Sequence, residues 1–341
     1  MGFFSFLNQE IAVDLGTANT VIYHNDKMVI DEPSIVAIDR NTKRLIAVGQ
    51  QALLMEGRAP EDINIIRPLK DGVIANFHAA EMMIIAFLRQ MNQRQRSLFP
   101  PSLKMVVCIP SGITEVEERA VKDSVERAGA KEVKLIHEPM AAAIGIGLNV
   151  LDPEGNMVVD IGGGTSEIAV IALGGIVCNK SIKTAGDEFN ADIEDYIRRE
   201  HNMSIGRRTA ELIKINVGAA MADIDDVPEA YEVRGQDLVT GVPKAIKITH
   251  NEIAAALDKS IMQIEVAVLQ ALEKTPPELA ADIYNTGIYL AGGGALLRGL
   301  DKRIAIKTKL PVHIAEDPLK AVVRGTNQAL KNFDRYLFLI K

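Results

Sequence analysis

Two stretches of this sequence set a carboxylate and glycines where phosphate chemistry can be done. In residues 157–171 an apolar run ends at Asp160, then Gly162, Gly163 and Gly164 follow, and apolar residues resume at Ile168. Read as strand, tight turn and strand, this arrangement lets backbone N–H groups approach an anion that a Cβ would hold off. Asp160 would repel a phosphate directly, so its fitting role is to hold Mg²⁺ through water. A Walker-type loop needs a Lys-Ser/Thr pair and a helix after the glycines, and this stretch has neither.

Residues 10–23 repeat the plan, with Asp14 at the end of an apolar run, Gly16 in the turn and a second apolar run after it. Two copies a domain's length apart point to two similar lobes closing on one nucleotide, against the plain alternative of two ordinary hairpins. Glu138 ends an apolar run immediately before Pro139, at the carboxyl edge where α/β sheets bind ligands. There it is either a carboxylate favoured by a helix dipole or the group that orients an attacking water. Gly186 and Asp187 open a helix. Glu211 and Lys214 stand one helical turn apart, either as a surface ion pair worth little or as contacts to nucleotide hydroxyls and base. Gly292, Gly293, Gly294, Ala295 and Leu296 follow a strand and read as the glycine-rich start of a helix. Such a start offers N–H groups to an anion or a flat ring, although close helix–sheet packing would also select the glycines.

The elements that must position these groups alternate as β-α-β-α, which predicts a mostly parallel sheet covered by helices. Thr114 with Glu117 forms a capping box for a helix ending at Gly129, and Thr249 with Glu252 forms another. The second box opens a long amphipathic helix that stops at Pro276-Pro277. Phe189, Ile193 and Ile197 share one face of the helix after Gly186. The expected division is a first lobe of residues 1–145 plus 318–341 with an insertion at about 30–75, and a second lobe of 146–317 with an insertion at about 183–250.

At 341 residues the chain is long for one core. A net charge of −7 with no basic block argues against nucleic acid as a partner. Cys108 and Cys178 both sit in apolar runs, as buried thiols of a reducing compartment do. No apolar run is long enough to span a membrane. The first apolar run breaks at Asn8-Gln9-Glu10, too early for a secretory signal, and Phe6 spoils a myristoylation pattern after Gly2. Phe3, Phe4, Phe6 and Leu7 either pack on their own domain or, with Leu98 and Phe99, meet a membrane surface. Val116 lies among Glu115, Glu117 and Glu118, and is either tucked into the core or part of a contact.

The ordered motifs Asp14-Leu-Gly-Thr-Ala-Asn-Thr20, Glu138-Pro-Met-Ala-Ala-Ala-Ile-Gly145, Val158-Val-Asp-Ile-Gly-Gly-Gly-Thr165 and Gly292-Gly-Gly-Ala-Leu-Leu297 resemble those of the actin/Hsp70/sugar-kinase ATPase superfamily. Within it the likeness is to the bacterial actins of the MreB family, and it covers essentially the whole chain. The resemblance implies two duplicated RNase H-like lobes, each with a small insertion subdomain, and a nucleotide in the interlobe cleft. It implies ATP and Mg²⁺ as cofactors. Thr17, Ala18 and Asn19 would bind phosphate from the first hairpin, and Gly162, Gly163 and Gly164 from the second. Asp14 and Asp160 would organise Mg²⁺, and Glu138, helped by Thr165, would position the water. Gly186, Asp187, Glu211, Leu212, Ile213 and Lys214 would contact the ribose and adenine, with residues 292–296 cradling the nucleoside. His137 stands where the family usually has a second acid, and Ser166 where it often has a second Thr.

The function so implied is slow ATP hydrolysis coupled to polymerisation, in a cytoskeletal protein that sets rod shape from the inner face of the cytoplasmic membrane. Its partners would be further copies of itself, paired antiparallel near Val116, the membrane surface, and membrane-embedded wall-synthesis proteins. A small-molecule kinase is the alternative on the same fold, and a chaperone would need a peptide-binding domain for which no chain remains.

Overall fold

A computed structural model describes residues 8–93, 102–332 and 335–336. The chain forms two compact units. The first runs to Pro153 and takes in Leu173–Ile176 and the chain from Lys320, and the second holds Glu154–Ala172 and Val177–Leu319.

Each unit is built on a five-stranded sheet. In the first, the strand Asn8–Leu15 pairs antiparallel with Asn19–His24 on one side and parallel with Ser102–Ile109 on the other. Lys27–Pro33 extends the antiparallel side, and Ala130–His137 the parallel side. In the second, Asn156–Ile161 pairs antiparallel with Ser166–Ala172 and parallel with Ile288–Ala291. Gly175–Ile182 and Val312–Ile314 are its outer strands. Taken in chain order, the strands of both sheets are arranged third, second, first, fourth, fifth. The duplication expected from the two hairpins is thus present in the topology, with Asp14 and Asp160 one residue before the end of equivalent first strands.

Inner strands such as Asn156–Ile161 and Ser166–Ala172 are buried at every position, as strands covered on both faces must be. In the first unit the helix Phe77–Gln93 contributes Ala80, Met83, Ile84, Phe87 and Leu88 to the core. Glu115–Arg127 starts with the capping box of Thr114 and Glu117 fully formed. The helices Glu138–Ile146 and Ala321–Lys331 cross so closely that a Cβ on Gly145 would overlap the carbonyl of Ala321, and one on Gly325 that of Ala141. That crossing fixes the helix whose first residue is Glu138.

In the second unit Phe189, Ile193 and Ile197 of the helix Gly186–His201 pack with Ile253, Leu257, Ile261, Ile264 and Val268 of His250–Glu273. The Pro276-Pro277 pair does more than stop that helix. Pro277 is the first residue of a further helix, Pro277–Thr286, a position where its missing N–H costs nothing.

Each unit also carries a smaller sheet inserted between its third and fourth main strands. In the first unit it is formed by Val36–Asp39, Leu45–Val48 and Ile63–Ile66, and in the second by Met203–Ser204, Tyr231–Asp237 and Pro243–Ile248. Among the described residues no helix is long and apolar enough to cross a membrane. Phe3, Phe4, Phe6, Leu7, Leu98 and Phe99 lie outside the described residues.

Candidate functional site

In the first unit, the candidate residues Asp14 and Glu138 gather at the carboxyl edge of three strands. Asp14 is level with Cys108 across one pair, and Cys108 is level with Ile136 across the next. Glu138, two residues beyond Ile136, therefore leaves the same edge as Asp14. The Cys108 thiol donates to Asp14 Oδ1 at 3.1 Å. Burial, and then the charges of Asp14 and Glu138, push that thiol well above its ordinary pKa, so it stays protonated as a donor. Burial also raises Asp14 from 3.8 to about 6, the Cys108 bond opposing it.

The turn after Asp14 is braced from outside. Ser34 donates its hydroxyl to the carbonyl of Gly16 at 2.7 Å and its N–H to that of Ala18 at 2.8 Å. The Thr17 hydroxyl accepts the N–H of Gly72 at 3.0 Å, which leaves its own proton available to a phosphate oxygen. A Cβ on Gly16 would lie 2.6 Å from the carbonyl of Asn19, so the tight turn admits only glycine. Ala18 is half-buried and Asn19 exposed.

In the second unit the glycine turn is closed by Gly162 N–H donating to the Thr165 carbonyl at 2.9 Å, with Thr165 itself buried. The helix Gly186–His201 docks on this turn. Gly186 N–H donates to Gly162 O at 3.1 Å and Asp187 N–H to Gly163 O at 2.7 Å. Asp187 also pairs with Arg207, the first residue of the helix Arg207–Val217. From that helix Lys214 Nζ donates to Gly186 O at 3.1 Å and to Glu211 Oε2 at 2.8 Å. Burial raises the Glu211 pKa, but Lys214 and hydrogen bonds from Lys214 and Asn190 outweigh it and hold the carboxylate below its ordinary range. Glu211 and Lys214 are thus more than an isolated surface pair: they are tied to the glycine turn.

One expectation needs correction. Residues 292–296 do not open an α-helix. Gly293–Leu296 is a single 3₁₀ turn, and the next α-helix starts at Leu300. Three successive glycines are poor helix formers, and Gly292 sits at φ 76 with its Cα pressed on the strand end, where a Cβ would be 2.5 Å from Asp160 Oδ1. Close packing, not a helix dipole, accounts for Gly292 and Gly294, while Gly293 and Leu296 are exposed. Of the residues expected at the nucleoside, Ile213 and Ala295 have side chains buried in the core, whereas Leu212 is exposed. Between the two readings left open for Val116, core or contact, its exposure of 78% removes the core one.

Sequence reasoning also missed Cys108, Ser34 and Asn190. Each acts through a partner distant in the chain, and only the apolar run around Cys108 hinted at its burial.

The residues present fit a Mg²⁺–nucleotide. Among the described residues no three His, Cys, Asp or Glu side chains gather as a metal cage. Mg²⁺ typically takes most of its ligands from water and phosphate, with one or two carboxylates beside them. Asp14 in the first unit and Asp160 in the second are each a carboxylate of that kind beside a glycine turn, and a cation would relieve the cost of ionising the enclosed Asp14.

The family model described as MreB/Mbl protein matches residues 8–337. Over 328 residues the chain is 47% identical to the cell shape-determining protein Mbl of Bacillus subtilis (strain 168), covering 96% of this chain and 97% of that one. It is 48% identical over 339 residues to the cell shape-determining protein MreB of Escherichia coli (strain K12), covering 98% and 96%. Its fold matches the crystal structure of MreB5 of Spiroplasma citri bound to AMPPNP with a TM-score of 0.90, at 38% identity, over 97% of this chain and 98% of that one. The same protein bound to ADP matches equally well.

Proposed function

The chain belongs to the MreB/Mbl family, and from that we propose that it is an ATP-dependent, filament-forming cytoskeletal protein that sets rod cell shape. The observation that carries this reading is the duplicated sheet, each copy placing an acid one residue before the end of its first strand, ahead of a tight glycine turn. Thr17, Ala18 and Asn19 of the first unit and Gly162, Gly163 and Gly164 of the second bind the phosphates. Asp14 and Asp160 hold Mg²⁺ through water, and the cation supplies charge neutralisation at the phosphates. Glu138 accepts a hydrogen bond from the attacking water and aims it, and Glu211 and Lys214 face ribose and adenine. Relatives named for cell-shape determination and a fold neighbour crystallised with AMPPNP and with ADP support the reading. The small-molecule kinase alternative gains nothing from these relatives. Sedimentation of the purified chain with ATP and Mg²⁺ tests the assignment: polymer should pellet, and a soluble monomer that phosphorylates a sugar would overturn it.

Filaments pair antiparallel through the helix Glu115–Arg127. Its second residue, Val116, exposes an apolar side chain between acids, where a core role is excluded. Val116→Glu adds a like charge to that collar and should give single filaments in electron micrographs where the parent gives pairs. Paired filaments from the variant would remove Val116 from the contact.

The filament works on the inner face of the cytoplasmic membrane beside membrane-embedded wall-synthesis proteins, anchored by Phe3, Phe4, Phe6 and Leu7 with Leu98 and Phe99. Four such side chains contribute about 1.5–3 kcal/mol each on burial, before ordering costs. One weak anchor binds marginally, but a polymer multiplies it. The first ten residues contain no Lys or Arg, so salt should matter little. In vesicle flotation, full-length filaments should float with lipid. A chain lacking residues 2–7 and carrying Leu98→Ser and Phe99→Ser should form filaments that do not. Equal lipid binding by both would end the membrane assignment.

A further inference from the structure

The second unit contains a polar residue to which neither the motifs nor the family likeness gives a role. Asn190, in the second turn of the helix Gly186–His201, is only 3% exposed. Its Nδ2 donates to Glu211 Oε2 at 2.6 Å, the oxygen that also takes Lys214 Nζ. Oε2 is thus occupied by two donors while the Glu211 side chain remains 43% exposed. Oε1 is the oxygen left for a ligand. Asn190 Oδ1 is buried without a hydrogen-bond partner, a cost that a side chain chosen for packing alone would not carry. The bonds continue in a ring. Lys214 reaches back to Gly186 O, and Gly186 and Asp187 donate to the carbonyls of Gly162 and Gly163. Asn190 therefore locks the Glu211 carboxylate to the same helix whose first turn docks on the phosphate-binding glycines.

We propose that Asn190 is a positioning residue for nucleotide specificity: it holds Glu211 so that Oε1 accepts from a ribose hydroxyl, and so makes the site prefer ribonucleotides over deoxyribonucleotides. This rests on the reading above, in which ATP is bound with Glu211 at its ribose. A carboxylate fixed at one oxygen by two donors loses little freedom when the other accepts a hydroxyl, whereas an untethered Glu211 has to be ordered by the ligand. A site built to hydrogen-bond a hydroxyl discriminates against the analogue lacking it, and that discrimination depends on the acceptor being held in place.

The test is to measure dissociation constants of ATP, 2′-deoxy-ATP and 3′-deoxy-ATP with Mg²⁺ on the full chain and on two variants. Asn190→Leu keeps the branched shape and removes both the donor and the buried unpartnered carbonyl, at the cost of added bulk. Asn190→Ala removes the donor without adding bulk or a second carboxylate beside Glu211. The parent should prefer ATP over at least one deoxy analogue by roughly tenfold or more, the usual size for a hydrogen bond to a charged group. Both variants should weaken ATP and leave that analogue nearly unchanged, so that the ratio falls towards one. A merely structural role would weaken all three nucleotides together and keep the ratio, which would overturn the proposal, as would a parent that binds all three equally. A folded parent that binds none of them would instead overturn the ATP reading itself.

Discussion

Replacing Glu138 with alanine should slow ATP hydrolysis by about 10²-fold or more while leaving ATP affinity within a few-fold of the parent, the usual signature of a lost positioning or acid–base group. Glu138 opens the helix Glu138–Ile146, and its chain neighbours on either side are His137 at the cap and Pro139 in the first turn. Pro139 and the Gly145/Gly325 crossing hold that helix without the carboxylate, so the fold should survive. The lost dipole interaction costs about 0.3–1 kcal/mol, too little to account for such a rate change. Filaments of the variant in ATP should consequently outlast those of the parent. Single-turnover phosphate release with saturating ATP–Mg²⁺ is the deciding readout. A variant that loses affinity but keeps its turnover per bound ATP would place Glu138 among the binding groups instead.

Asp14→Asn should have two effects of opposite sign. Burial lifts the Asp14 pKa from 3.8 to about 6 in the folded chain. The native state therefore binds more protons than the unfolded chain between those values, and stability falls as pH rises through them. Above pH 6 the ionised carboxylate is a standing cost of about 1–3 kcal/mol, once partial exposure is allowed for. Asparagine keeps an oxygen for the Cys108 thiol without the charge. In nucleotide-free protein the variant should thus melt a few degrees higher than the parent at pH 7, and equally at pH 4. It should also lose at least about tenfold in Mg²⁺-dependent ATP affinity, because the charge that costs stability is the one that holds the cation. A variant less stable than the parent at pH 7 would contradict the desolvation argument, and one with unchanged Mg²⁺–ATP binding would remove Asp14 from the metal site.

How far the sequence could be read depended on whether the deciding interaction was local. The hairpins around Asp14 and Asp160 announce themselves by an apolar run, an acid and glycine. The boxes at Thr114 and Thr249 span three residues, and both form as expected. The apolar stripe of Phe189, Ile193 and Ile197 likewise packs as its spacing required. Residues 292–296 were misread because the choice between helix and turn is made by Asp160 and Ile161, which approach Gly292 too closely for any side chain. Ile213 is turned inward because it stands two residues from Glu211, on the opposite side of the helix that carries Glu211 and Lys214 outward. Cys108 lies 94 positions from the Asp14 carboxylate it donates to, and Asn190 lies 21 from Glu211. Neither pairing follows from periodicity, since sheet register and helix docking create them.

The central claim is that nucleotide state governs assembly. Its most direct measurement is the critical concentration for pelleting of the full chain with AMPPNP, with ATP and with ADP, each with Mg²⁺ and all in the same buffer. The account predicts the lowest value with AMPPNP or ATP and a clearly higher one with ADP. Equal values for all three nucleotides, or no polymer with any of them, would contradict it.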